Sequence, residues 1–289
     1  MLVLFTDTDT DVTPEIAAKY GYRLISMPYS IDGKTVYPYV DFDKFDSHAY
    51  YDMLRSGVIP NTSALNKENY ITYFEPVFAE GNDILYVHFS RAMSATFESM
   101  DQAVRELQEK YPERKFYEID TKGISIISLN ILEEIGDMYL EGRTAEELVE
   151  WGRREVDHFA VYFFADDLRF FRHSGRVSGI AGTMGTLLGI RPIIYMNEEG
   201  KMVSIGKEKG RQKAMDRLIN YVVELGDNVK GHRVIIANSD TDEIVNELKN
   251  MLIEKFGEDL DIQIVDVNPT AGAHCGPNAT GICFHSIHR

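Results

Sequence analysis

Ile84-Leu85-Tyr86-Val87-His88-Phe89-Ser90-Arg91-Ala92-Met93-Ser94-Ala95-Thr96 is the stretch whose reading decides the fold. Ile84–Phe89 is a short, largely apolar run of strand length. Ser90–Ser94 is a serine-bearing loop, and a helical pattern then runs from about Ala95 to Lys110. A buried strand handed to a helix through a short loop is half of a βαβ unit, and such units build parallel sheets. In open α/β sheets the space just past a strand's carboxyl end is where ligands bind. The helix start supplies unpaired N–H groups and a positive dipole end, and Ser94 adds a hydroxyl, so this corner suits a carboxylate or a phosphate. The competing reading is that Ser94 only caps its own helix. A Gly-x-Ser-x-Gly nucleophile elbow is missing, which argues against a serine hydrolase.

The same alternation extends in both directions. Strands are expected at Leu2–Thr6, Leu24–Ile31, Lys115–Ile119, Ala160–Ala165, Pro192–Met196, Met202–Ile205, Val234–Ala237 and Ile262–Val267, with helices between most of them. Thr13 before Pro14 reads as a cap and first-turn proline. Thr144 with Glu147, and Asp240 with Glu243, have capping-box spacing. Gly57, Gly81 and Gly257 sit where helices end. Asn197-Glu198-Glu199-Gly200 splits two strand runs as a hairpin does, so the second half should carry antiparallel strands. The fold class is α/β. A boundary near residue 160 divides an N-terminal α/β domain with a parallel sheet (1–160) from a C-terminal α/β domain with a mixed sheet (161–289).

Composition narrows the function. The chain of 289 residues is 44% hydrophobic and 26% charged, with a formal net charge of −16. So acidic a body repels nucleic-acid phosphates, and no DNA or RNA partner is expected. No apolar run approaches the roughly 20 residues of a membrane span. The start, MLVLFTDTDT, lacks a basic n-region and is not expected to be a signal peptide. Two cysteines, Cys275 and Cys283, do not make a disulfide framework, and a cytoplasmic location is expected.

Several other motifs have two readings. Asp9-x-Asp11-x-Thr13 matches the first motif of Mg-dependent, haloacid-dehalogenase-like phosphatases. That chemistry needs a second acidic motif, and Gly226-Asp227-Asn228-Val229-Lys230 lacks the second acid. The plain alternative is a solvated capping turn. Val12 and Ala18 rule out an EF-hand loop starting at Asp7. Thr62-Ser63 either caps a helix running to about Glu80 or offers hydroxyls to an anion. Arg172-His173-Ser174-Gly175-Arg176 is a helix end or an anion-reaching loop. Gly182-x-x-Gly185-x-x-x-Gly189 follows no strand with dinucleotide spacing and reads as helix packing. The chain has no P-loop, and no set of cysteine and histidine ligands at zinc spacing.

Seven pieces, in order along the chain, resemble the DegV family of bacterial fatty-acid-binding proteins. They are Thr6-Asp7-Thr8-Asp9-Thr10-Asp11; Thr62-Ser63; Phe89-Ser90-Arg91-Ala92-Met93-Ser94-Ala95-Thr96; Asp120-Thr121-Lys122; Asp166–Arg172 with Gly175-Arg176-Val177-Ser178; Leu188-Gly189-Ile190-Arg191-Pro192-Ile193-Ile194; and His274-Cys275-Gly276-Pro277. The departures are Ala92 and Ala95, where the family often has glycine, and Arg91 in place of a small or polar residue. The resemblance implies a two-domain DegV-like fold with a lipid tunnel between and within the domains. It implies a carrier, not an enzyme, holding a long-chain fatty acid such as palmitate without any cofactor or metal. The carboxylate would sit on Thr62 and Ser94, flanked by Ser63 and Ala95, with His274 and Gly276 nearby. The partner implied is a separate fatty acid kinase that phosphorylates the bound acid. Lys201–Arg217 is locally basic, and Arg172, Arg176 and Arg211 are the expected docking residues.

Overall fold

The computed structural model describes residues 1–179 and 189–289. Gly182, Gly185 and Leu188, singled out above, lie outside the described residues. In the first half the order is β1 (Leu2–Asp7), a 3-10 turn (Thr8–Thr10), α1 (Pro14–Tyr20), β2 (Tyr22–Ile25), β3 (Tyr29–Ile31), β4 (Lys34–Val36), α2 (Ser47–Arg55), β5 (Asn61–Thr62) and α3 (Lys67–Ala79). Then follow β6 (Asp83–His88), a 3-10 turn (Arg91–Met93), α4 (Thr96–Lys110), β7 (Phe116–Asp120), α5 (Ile126–Leu140) and α6 (Ala145–Glu155). The second half has β8 (Phe159–Phe164), α7 (Leu168–Ser174), β9 (Val177–Ser178), β10 (Ile190–Met196), β11 (Met202–Lys209) and α8 (Arg211–Leu225). It ends with β12 (Val234–Asn238), α9 (Asp242–Phe256), β13 (Ile262–Asp266), α10 (Pro269–Cys275) and β14 (Thr280–His285).

Two main sheets result. A four-stranded sheet, order β2-β1-β6-β7, is parallel throughout. Its central strand β6 is buried along almost its whole length, as expected where helices cover both faces. A seven-stranded mixed sheet has the order β13-β12-β14-β8-β10-β11-β9. Every strand of the first sheet precedes Thr121 and every strand of the second follows His158. The β10–β11 hairpin closes through Asn197, whose side chain accepts from the Glu199 and Lys201 amides. No described helix is long and apolar enough to cross a membrane.

α5 explains how the sheets share a core. It is apolar on nearly every side, and Ile126, Ile127, Leu129, Ile131, Leu132 and Ile135 are all buried. A helix of that kind has no solvent face and must be sandwiched. It packs on α1 on one side and on β8, β12 and β14 on the other, so one continuous core runs from Leu4 and Val87 to Phe159, Ile235 and Cys283.

Three expectations need correction. Leu24–Ile31 is two strands, because Pro28 removes a ladder donor and β3 joins a separate three-stranded sheet with β4 and β5. Asp240 does not cap α9; Thr241 occupies that position, and Asp240 instead pairs with Arg55. Thr62-Ser63 does not cap α3, since Asn66 and Asn69 form that capping box. The Thr13 cap and the Thr144–Glu147 box are present as read.

The two sheets are also tied by a buried polar link. The Asp11 carboxylate accepts from the Asn268 amide at 2.8 Å, from its side-chain Nδ2 at 2.6 Å and from the Ser125 hydroxyl. Asn268 in turn caps α10, accepting from the Ala271 amide at 2.9 Å. Replacing Asn268 by Ala removes a helix cap and strips donors from a buried carboxylate, together worth about 2–4 kcal/mol. The urea midpoint of N268A should fall accordingly. The deficit should shrink at about pH 5, because burial already raises the Asp11 pKa to about 6 and a protonated carboxyl needs fewer donors.

Candidate functional site

The carboxyl ends of β1 and β6, the loop at β5, the start of α4 and the helix α10 converge on one polar chamber. Asp9, Thr62, Ser63, Ser94, Ala95, Thr96, Thr270 and His274 line it. Inward, the chamber adjoins an apolar cavity walled by residues such as Val161, Phe163, Phe171, Met196, Met202 and Val267. Ile124 and His274 line both spaces, so the chamber and the cavity adjoin each other across these two side chains. Outward, Met93, Ser94, Ala95 and Arg176 are shared with a surface groove that also carries Arg91 and Lys201.

Local folding sets the polar groups. Ser94 precedes α4, and its hydroxyl accepts from the Thr96 amide at 3.2 Å. The Thr96 hydroxyl pairs with Tyr70 at 2.9 Å and accepts from the Leu65 amide at 3.1 Å. This clamps the loop after Thr62-Ser63 against the start of α4. The Thr62 hydroxyl lies 3.1 Å from His274 Nε2. His274 Nδ1 is buried and has no hydrogen-bond partner among the described residues. Burial, then the nearby Arg176 and His173, lowers the His274 pKa to about 4, so the ring is neutral at physiological pH. Burial raises the Cys275 thiol to about 12, leaving it protonated and a poor nucleophile.

The expected site residues divide clearly. Thr62, Ser63, Ser94, Ala95 and His274 are brought together, and Arg176 joins them. Gly276 does not line the chamber; it ends α10, and a β-carbon there would meet the Phe170 ring at 2.3 Å. Arg172 is exposed on α7 and lines neither the chamber nor the groove. Arg211 is held by Asp166 at 2.6 Å. Arg91 folds onto Asp101 through paired contacts at 2.9 and 3.1 Å and also reaches Glu118.

The acidic turn is not solvated, contrary to expectation. Asp7, Asp9 and Asp11 are all buried. Asp7 accepts from the Asp9 amide, the Tyr86 hydroxyl and the Phe89 amide, and burial still pushes it up to about 7. With Asp11 held by Asn268 and Ser125, Asp7 and Asp11 are engaged by donors on three different elements. Among the described residues, the three His, Cys, Asp or Glu side chains placed to share a cation are His48, Asp52 and Asp240 at the surface, where Arg55 already binds both acids. Sequence reasoning missed Thr96, Thr270 and Ile124 as parts of the site. A threonine inside a helix carries no signal of the cavity it faces.

Residues 1–286 match the family model described as "Uncharacterised protein, DegV family". The chain belongs to the DegV family. A DegV domain-containing protein of Clostridium perfringens, CPE0026, is 29% identical over 282 residues, covering 98% of this chain and 96% of its own. A fatty-acid-binding DegV protein from Thermus thermophilus superposes with a TM-score of 0.86 at 20% identity, covering 99% of each chain. A stearic-acid-binding protein from Eubacterium ventriosum superposes with a TM-score of 0.85 at 19% identity, covering 99% of this chain and 98% of that one. The DegV motifs therefore have a spatial meaning here. The opening acidic turn, the Thr62-Ser63 loop, the Ser94 corner, Arg176 and His274 lie far apart in sequence and share one chamber.

The histidines offer a direct check. In an NMR titration from about pH 5 to 8, the His274 ring signals should stay constant, since its midpoint lies near 4. His48, hydrogen-bonded to Asp240, should titrate above the ordinary histidine value. A His274 midpoint near neutrality would contradict the burial of this ring.

Proposed function

We propose that this DegV protein carries a long-chain fatty acid, with its carboxylate in the polar chamber and its chain in the apolar cavity. The observation that carries the reading is that these two spaces adjoin across Ile124 and His274. A sixteen-carbon acid would bury about 14 methylenes at ~0.8 kcal/mol each, on the order of 11 kcal/mol gross. That exceeds what a few hydrogen bonds supply, so the cavity gives affinity and the hydroxyls of Thr62 and Ser94 give orientation. The likeness to proteins that bind a fatty acid and stearic acid supports the same reading. We take the site to straddle the two α/β domains divided near residue 160, and the protein to be a cytoplasmic, non-catalytic carrier. Organic extraction of the purified protein followed by mass spectrometry should yield a stoichiometric fatty acid. The double variant Thr62→Ala and Ser94→Ala should lose it roughly tenfold faster while remaining folded. An empty extract from the wild type overturns the reading, and unchanged exchange in the double variant overturns the assignment of these hydroxyls.

We further propose that the carboxylate is presented to a separate fatty acid kinase through the groove. Arg176 and Lys201 line this groove and Ser94 stands at its inner edge; Arg172 and Arg211 lie outside its lining and are taken as further contacts for the partner. A carboxylate is already a competent phosphoryl acceptor, so His274 would need only to position it. Opposite charge on a partner would speed encounter with this patch on an otherwise acidic body. Charge reversal at Arg172 and Arg211, which lie outside the chamber, should slow acyl-phosphate formation by a cognate kinase about tenfold or more at low salt and flatten its salt dependence, with lipid occupancy intact; reversal at Arg176, which lines the chamber, should also loosen the lipid. Arg211 should contribute least, because Asp166 already pairs with it.

A further inference from the structure

Asp9 stands out among the groups facing the chamber. It sits in the 3-10 turn after β1, held by the bond from its own amide to Asp7 and by the Ser125 amide donating to its carbonyl at 2.8 Å. Its side chain is only 6% exposed and lines the chamber beside Thr62, Ser94, Thr270 and His274. Its Oδ1 is buried without any hydrogen-bond partner among the described residues. A buried carboxyl oxygen left without a partner costs free energy unless a ligand or water meets it. We propose that Asp9 is a direct ligand of the bound lipid, its carboxyl carried in the neutral form and donating its proton in a hydrogen bond to the lipid carboxylate.

This rests on the fatty-acid reading above and deepens it. Asp9 forms no ion pair among the described residues, and no other carboxylate lines the chamber. The charged and titratable groups around it explain why it stays neutral. Asp7 and Asp11 flank it on its own turn, Tyr70 and Tyr86 approach from α3 and β6, His274 faces it from α10, and Arg176 lines the chamber's outer side. Burial first, and then repulsion from Asp7, hold the Asp9 pKa well above the ordinary aspartate range. The Thr270 hydroxyl, which also reaches the Met27 carbonyl at 3.2 Å, is the group that opposes this. His274 is neutral, so the chamber's fixed cation is Arg176. An ionised Asp9 would set a second negative charge against the lipid head, whereas a neutral one supplies a charge-assisted bond, stronger than a hydroxyl's.

The two states of Asp9 predict opposite signs. Affinities of palmitate and of palmitamide, whose head is neutral, are measured on delipidated wild type, Asp9→Asn and Asp9→Ala at about pH 8. Loss of the donor in Asp9→Ala should weaken palmitate about tenfold or more, with palmitamide much less affected, and Asp9→Asn should recover most of the palmitate affinity through its amide N–H. Equal or tighter palmitate binding by Asp9→Ala overturns the proposal. Should the variants not fold, infrared difference spectra of the wild type decide. Palmitate should shift a protonated-carboxyl band at this pH, which lies above the values of about 7 and about 6 to which burial raises Asp7 and Asp11, and the absence of such a band overturns the proposal. If wild type binds neither ligand, the lipid reading itself has failed and this inference goes with it.

Discussion

The Asp11 carboxylate is the joint on which the site depends. One side chain accepts from the backbone and side chain of Asn268 and from Ser125, and so fixes the turn after β1, the start of α5 and the start of α10 at one point. The chamber's walls hang from those three elements. Asp9 is two residues before the joint, Ile124 is next to Ser125, and His274 lies within α10, which Asn268 caps. A buried carboxylate with several good donors is costly to displace, because each freed donor must also find a partner away from water. The chamber's geometry is therefore a property of the fold and does not wait for a ligand to assemble it.

Around that joint the site keeps positive charge at its edge. His274 is neutral, the thiol of Cys275 is protonated, and Asp7 is held by donors from its own turn and from β6. What remains among the described residues is a set of hydroxyls and one orphan carboxyl, with the Arg176 guanidinium at the chamber's outer side. In the proposed carrier, the apolar cavity would carry the bulk of the interaction and the chamber would set its orientation.

Much of this was legible in the sequence where local chemistry dominates. Strands such as Ile84–Phe89 read correctly because a six-residue, largely apolar run bounded by turn residues is of strand length and too short for a buried helix. The β10–β11 hairpin read correctly because Asn197 and Gly200 supply its turn. The motif order along the chain was enough to point to the family. Illegible were the features that depend on distant partners. β14 was missed because Gly281 interrupts its β-forming run, and its place between β12 and β8 is settled only by tertiary pairing. The acidic turn looked solvated because nothing near Asp11 in sequence announces Asn268. Arg211 looked free for a partner because Asp166, which pairs with it and with Arg191, lies 45 residues away.

Gly281 has one more consequence. It lines the deep cavity, and a β-carbon at this position would stand 2.4 Å from the Cβ of Phe163 and 2.8 Å from the Tyr162 carbonyl on the neighbouring strand. The sheet itself thus forms part of the cavity wall, and this patch cannot be thickened without parting two paired strands. Ala237, Ala271 and Ala279 line the same space as small side chains. Evolution can narrow the cavity by enlarging these alanines, including Ala237 beside Gly281 on the sheet, but the glycine position is closed to it. Within this architecture, the capacity of the cavity can be trimmed at a few side chains, while its depth at Gly281 is set by strand pairing.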